Sequence, residues 1–108
     1  MSDITSWLAQ QQQQYQKKLA AWNRAFVSPN PLHNPAQIRV DAYGSYIVWD
    51  QYGKTAQNGW EIDHELPKSQ FPGVATHPGN LRALHWKNNR AKSDKLGIDT
   101  LRNLLGGQ

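Results

Sequence analysis

The chain has no cysteine. That excludes disulfide staples, a thiolate zinc site and a cysteine nucleophile. Small secreted domains usually lean on disulfides, so the absence points to a cytoplasmic setting. Long apolar runs are missing too: no stretch approaches the ~20 residues that span a bilayer as a helix, and no membrane partner is expected. The N-terminus lacks the basic-then-apolar order of a signal peptide, although specialised secretion reads other signals. Acidic residues are few, with 8 Asp and Glu against 12 Lys and Arg and a formal charge of +4. The 108 residues suffice for one domain with one modest core.

The placement of charge says more than its sum. Between Asn80 and Lys95 the cations are Arg82, Lys87, Arg90, Lys92 and Lys95, against the single anion Asp94. A local cationic block beside acid-base residues suggests a polyanionic substrate.

Residues 1 to 27 read as an amphipathic helix. Ser2 or Asp3 can cap it, and no glycine or proline appears before Pro29. Ile4, Leu8, Tyr15, Leu19, Trp22 and Phe26 recur at steps of three, four or seven and form one apolar stripe over residues 3 to 26. The glutamine run Gln10 to Gln14 interrupts the stripe without shifting its phase, and glutamine is a fair helix former. The stripe either packs on the chain's own domain or pairs with a second copy, since Leu8, Tyr15 and Trp22 repeat at heptad spacing. Residues 28 to 36, with three prolines, end the helix as a linker or wrapped loop, and His33 there reads as a surface histidine.

Residues 37 to 108 read as one further unit. Residues 37 to 50 suggest a β-hairpin, with Gly44 at the turn. Trp60 to His64 alternates as a strand, which sets Glu61 and Asp63 on one face and Trp60, Ile62 and His64 on the other. Asp63 and His64 can then serve one site only where the strand ends or bends, and Pro67 follows closely. Residues 66 to 79 form a long irregular loop, Leu81 to Leu84 a returning strand, and Lys87 to Lys95 a helix ended by Gly97. A last short helix is expected over Ile98 to Leu105. Trp60 and Trp86 are expected to cover the small core, joined by Trp49. The predicted class is α+β: a long N-terminal helix, a hairpin, then strand, loop, strand and helix.

Residues 60 to 94 carry the chemistry. A carboxylate (Asp63) and an amide oxygen (Asn80, Asn88 or Asn89) are donors for a hard divalent cation. A neutral imidazole (His64) can take a proton from water, and nearby cations can hold a phosphate. Taken singly, each residue has a plainer reading: Asp63-His64 as a surface pair, Asn80 as a turn residue, Asn88-Asn89 as a helix cap. The joint pattern is more specific. It resembles the ββα-metal motif of the HNH endonuclease family, most closely over residues 58 to 95. Its last part is similar to the HNH domain of CRISPR-associated nucleases, where a comparable Asn-Arg-small-Lys-Ser-Asp run follows the returning strand. A weaker similarity to small bacterial and phage HNH proteins reaches back to about residue 38, and residues 1 to 36 lie outside it.

The resemblance implies roles residue by residue. His64 matches the general base, and Asp63 before it the carboxylate metal ligand. Asn80 matches the central asparagine that ties down the loop and helps orient the base. Asn89, nine residues on, matches the last metal-binding position, where many members have histidine. His85 is a further candidate ligand. Arg90, Lys92, Lys87 and Arg82 are candidate phosphate contacts. Oxygen donors suit Mg²⁺ or Mn²⁺ better than Zn²⁺, which imidazole-rich sites accept more readily. The expected activity is metal-dependent hydrolysis of DNA phosphodiester bonds leaving a 5′-phosphate, in a bacterial or phage-encoded protein, with RNA as the other substrate. The alternatives are a non-catalytic nucleic-acid-binding module, or a nuclease effector carried by a larger assembly. A homodimer through the N-terminal helix would pair two nicking sites.

Overall fold

The structure, a computed structural model, describes residues 2 to 92. A 22-residue run without glycine or proline forms the first helix, α1 (Ser2–Asn23). It stops short of the expected Phe26. The amides of Arg24 and Ala25 bond back to the carbonyls of Ala21 and Trp22 in a closing turn. Phe26 instead enters a short strand, β1 (Phe26–Val27). The C-terminal part of α1 packs, with Ala21 and Trp22 buried. The N-terminal part leaves Ile4, Trp7 and Leu8 more than half exposed, at 65, 57 and 55%.

β1 pairs antiparallel with β2 (Ile38–Val40), and β2 with β3 (Tyr46–Val48). The expected hairpin thus carries a third strand fed directly from the helix exit. Its turn needs Gly44 at φ +88°. It is also closed by Asp41, whose Oδ1 accepts the amides of Tyr43 and Ser45, each at 2.9 Å. The proline-rich residues 28 to 36 wrap against the domain. Trp22 Nε1 and Arg39 Nε both donate to the Pro35 carbonyl at 2.9 Å. Ser28 Oγ lies 2.7 Å from His33 Nδ1.

The second sheet is a pair of antiparallel strands, β4 (Trp60–His64) and β5 (Leu81–His85). Directly paired residues share a face, and faces alternate along each strand. Trp60, Ile62, Leu81 and Ala83 face α1 and build the core with Ala21, Trp22 and Ile47. Glu61, Asp63 and Arg82 face the other way, toward a second helix, α2 (Trp86–Lys92). The two-stranded sheet is therefore covered by α1 on one side and α2 on the other. The architecture is α+β, in the element order expected.

One expectation needs correction. Trp49 joins the core, but Trp86 does not: its ring is half-exposed, stacks on His85 and donates Nε1 to the Ala56 carbonyl at 2.7 Å. Trp22, from α1, supplies the second large ring instead, 5.2 Å from Trp60. The expected extension of α2 to Lys95, its stop at Gly97 and the last helix over 98 to 105 lie outside the described residues. Among the described residues, no helix is long and apolar enough to cross a membrane.

Candidate functional site

The loop from Glu65 to Asn80 leaves β4 and returns to β5, and its two ends are fastened to each other. Asn80 is buried; its Oδ1 accepts the Leu66 amide at 2.7 Å and its Nδ2 donates to the Leu66 carbonyl at 3.2 Å. The Glu65 amide donates to the Asn80 carbonyl at 2.9 Å. Arg24, just beyond α1, clasps the same ends. It donates to the carbonyls of Gly79 and Leu81 and pairs with Glu65, each at 2.8 Å. His77 adds a local turn by accepting the Gly79 amide on Nδ1 at 2.9 Å. The loop is long, yet its base is rigid, and that base sits immediately after His64.

β4 does not end before His64, which pairs with Leu81. The pleat therefore points Asp63 and His64 to opposite faces, as strict alternation requires. They nonetheless meet at the end of the strand. A depression of about 350 Å³ is lined by Asp63, His64 and Asn89 together with Lys68, Ser69 and Lys92. A second depression of about 460 Å³ shares Ile62, His64 and Asn89 with the first, and runs on past Glu61 and Tyr52 to Gln14 and Lys17 of α1.

His64 is half-exposed, and its ring accepts and donates no hydrogen bond among the described residues. Partial burial pushes its pKa down, opposed by the Asp63 carboxylate and reinforced by the charges of Lys17, Lys68 and Lys92. The neutral imidazole, with a free lone pair, is the favoured form.

Asp63 is 5% exposed, and both its oxygens are engaged. Oδ2 takes Arg82 Nε at 2.9 Å and Oδ1 takes Lys92 Nζ at 2.8 Å. Asn89 donates Nδ2 to Glu61 Oε1 at 2.9 Å, and its own oxygen has no partner among the described residues. Arg90 holds the other oxygen of Glu61 at 2.9 Å. Burial works against the charged form of Glu61, but the bonds from Arg90 and Asn89 and the charge of Arg90 outweigh it and hold the pKa below its usual value.

A carboxylate and an amide oxygen in one solvent-open depression suit a hard cation that keeps several waters. Among the described residues no three His, Cys, Asp or Glu side chains converge, so waters and substrate oxygens would complete the shell. The types fit. The position at Asp63 Oδ1 is taken by the Lys92 ammonium, which a metal would have to displace.

Three candidates sit elsewhere than expected. His85 has both ring nitrogens engaged: Nε2 donates to the Gln57 carbonyl at 2.7 Å and Nδ1 accepts the Lys87 amide at 3.1 Å. Arg82 is bound to Asp63 under α2 rather than offered to a phosphate. Lys87 lies over the Trp86 ring, away from both depressions. Asp41 was not singled out at all. It is 1% exposed, and its Oδ2 accepts the His85 amide at 2.9 Å and Asn88 Nδ2 at 2.8 Å. Asn88 also donates to Ser45 Oγ at 2.9 Å. Asp41 thus fixes the start of α2, and with it the height of Asn89 beside His64. An aspartate three residues ahead of the turn glycine Gly44 was the available signal; its distant partners were not readable. No family model matches this chain, and no curated protein or solved structure matches it either.

Proposed function

We propose that this protein is a metal-dependent endonuclease that hydrolyses phosphodiester bonds in DNA. The observation that carries the reading is the unbonded neutral imidazole of His64 in one depression with Asp63 and the free oxygen of Asn89. In this reading His64 removes a proton from a water positioned against the phosphorus. The O–P bond forms as the bond to the 3′-oxygen breaks, leaving a 5′-phosphate. Asp63 and Asn89 would hold Mg²⁺ or Mn²⁺, which supplies charge stabilisation at the phosphate and the leaving oxygen. Asn80 acts at one remove, by holding the strand end that carries His64. Lys92 lines the depression and Arg90 pairs with Glu61; each would neutralise phosphate once released from its carboxylate.

The test is cleavage of supercoiled plasmid by the full chain with Mg²⁺, Mn²⁺, Zn²⁺ or EDTA, beside His64→Ala. Nicking or linearisation that requires Mg²⁺ or Mn²⁺ and vanishes in the variant is the expected result. His64 makes no side-chain hydrogen bond, so the variant should keep its fold. Cleavage that survives the substitution removes His64 as the base.

A second reading has its own observation. Both oxygens of Asp63 are already held by Arg82 and Lys92, which favours a nucleic-acid-binding module that takes up no metal. Retained DNA binding with no cleavage in any metal would select it. Pairing of two copies through Ile4, Trp7 and Leu8 would set two sites on one duplex, and sedimentation of the full chain reads it directly.

A further inference from the structure

The cations expected to hold phosphate are mostly occupied within the molecule. Arg82 and Lys92 are bound to Asp63, and Arg90 is bound to Glu61. Lys18 lies over the rings of Trp49 and Tyr52, and Lys87 over Trp86. Two other lysines have no such partner among the described residues and line the groove around His64. Lys17 projects from α1 into the depression that His64 shares with Gln14 and Tyr52. Lys68 borders the depression on the other side, with Ser69. The two depressions join at Ile62, His64 and Asn89, so the lysines flank His64 along one continuous track. A chain of phosphates is the ligand that such an arrangement suits, with one cation on each side of His64.

We propose that α1 forms a wall of the substrate groove, with Lys17 on one side of His64 and Lys68 on the other binding the DNA phosphates that flank the cleaved one. This rests on the nuclease reading above and adds a role for a helix that lies outside the ββα unit. Gln14 extends the wall: its Nε2 donates to the Tyr52 hydroxyl at 2.7 Å, which braces α1 against the loop before β4. Both lysines act on the backbone alone, so the contacts carry no sequence preference.

The experiment measures binding of a labelled DNA duplex to the full chain carrying His64→Ala, in EDTA, over a series of salt concentrations. Lys17→Gln and Lys68→Gln are each expected to weaken binding and to lower the slope of log K against log salt by about 0.9, the value for one lost phosphate contact. The double variant lowers it by about 1.8, on the same basis. Lys17→Arg keeps the parent slope, which separates loss of charge from loss of structure. Lys54→Gln, an exposed lysine lining neither depression, reports the effect of net charge alone. A Lys17 or Lys68 variant that behaves like Lys54→Gln overturns the assignment for that lysine while the nuclease reading stands. A parent that does not bind DNA, together with no plasmid cleavage by the unsubstituted chain in any metal, overturns both.

Discussion

Asn80 shows how one amide can set a site without touching it. Its two side-chain bonds to Leu66 hold the first residues after His64, and all these groups are buried. Asn80→Ala leaves a buried amide and carbonyl of Leu66 without partners, at a cost of about 1–3 kcal/mol. The expected reading is a lower urea midpoint with an unchanged slope, and a fall in plasmid cleavage larger than the stability loss explains. The loop-fastening role was expected only through the resemblance to the ββα-metal motif; taken alone, Asn80 read as a turn residue. The alternation that separates Asp63 from His64 was legible, since period two is a rule of strands rather than of families. The pairing of Arg82, Lys92 and Arg90 was not. A count of cations cannot say which of them find a carboxylate across a sheet, and here Glu61 and Asp63 claim all three.

Between elements, Asp41 is the main junction. One carboxylate closes the β2–β3 turn through Tyr43 and Ser45, and ties it to the His85 amide at the end of β5 and to Asn88 in α2. Four donors meet on this residue, which is 1% exposed. Asp41→Ala orphans several buried donors at about 1–3 kcal/mol each, so a loss above about 3 kcal/mol is expected in chemical denaturation. Asp41→Asn keeps the shape but places an amide nitrogen where acceptors are needed, and should recover only part of it. The partners of Asp41 in β5 and α2 lie 44 and 47 residues downstream. No local pattern announces a contact of that separation, which is why a residue with this many bonds passed unnoticed. The hairpin, β4, β5 and α2 were legible because each carries its own periodicity or its own breaker.

At the scale of the whole molecule, α1 belongs with the sheet that carries His64. Sequence boundaries suggested a helix, a linker and a separate unit over 37 to 108, because proline runs look like joints. The wrapped segment 28 to 36 and the burial of Ala21 and Trp22 against Trp60, Leu81 and Ala83 join them. Removing residues 1 to 27 would strip one face of the β4–β5 sheet and delete Arg24 from the loop base. The shortened chain is expected to lose its cooperative thermal transition, and its cleavage with it; retention of both would show that the sheet stands without the helix. The stripe on α1 was readable, but which surface it meets depends on tertiary partners that periodicity does not name. The same contact has an optical consequence. Trp22 from α1, Trp49 from the turn after β3 and Trp60 from β4 hold their rings at centroid distances of 5.5, 5.2 and 5.7 Å. Indoles so close, in fixed mutual tilt, give a near-ultraviolet dichroism that disappears when packing loosens, even where helix content persists. The seating of the helix can therefore be followed from the native side chains, with no label attached.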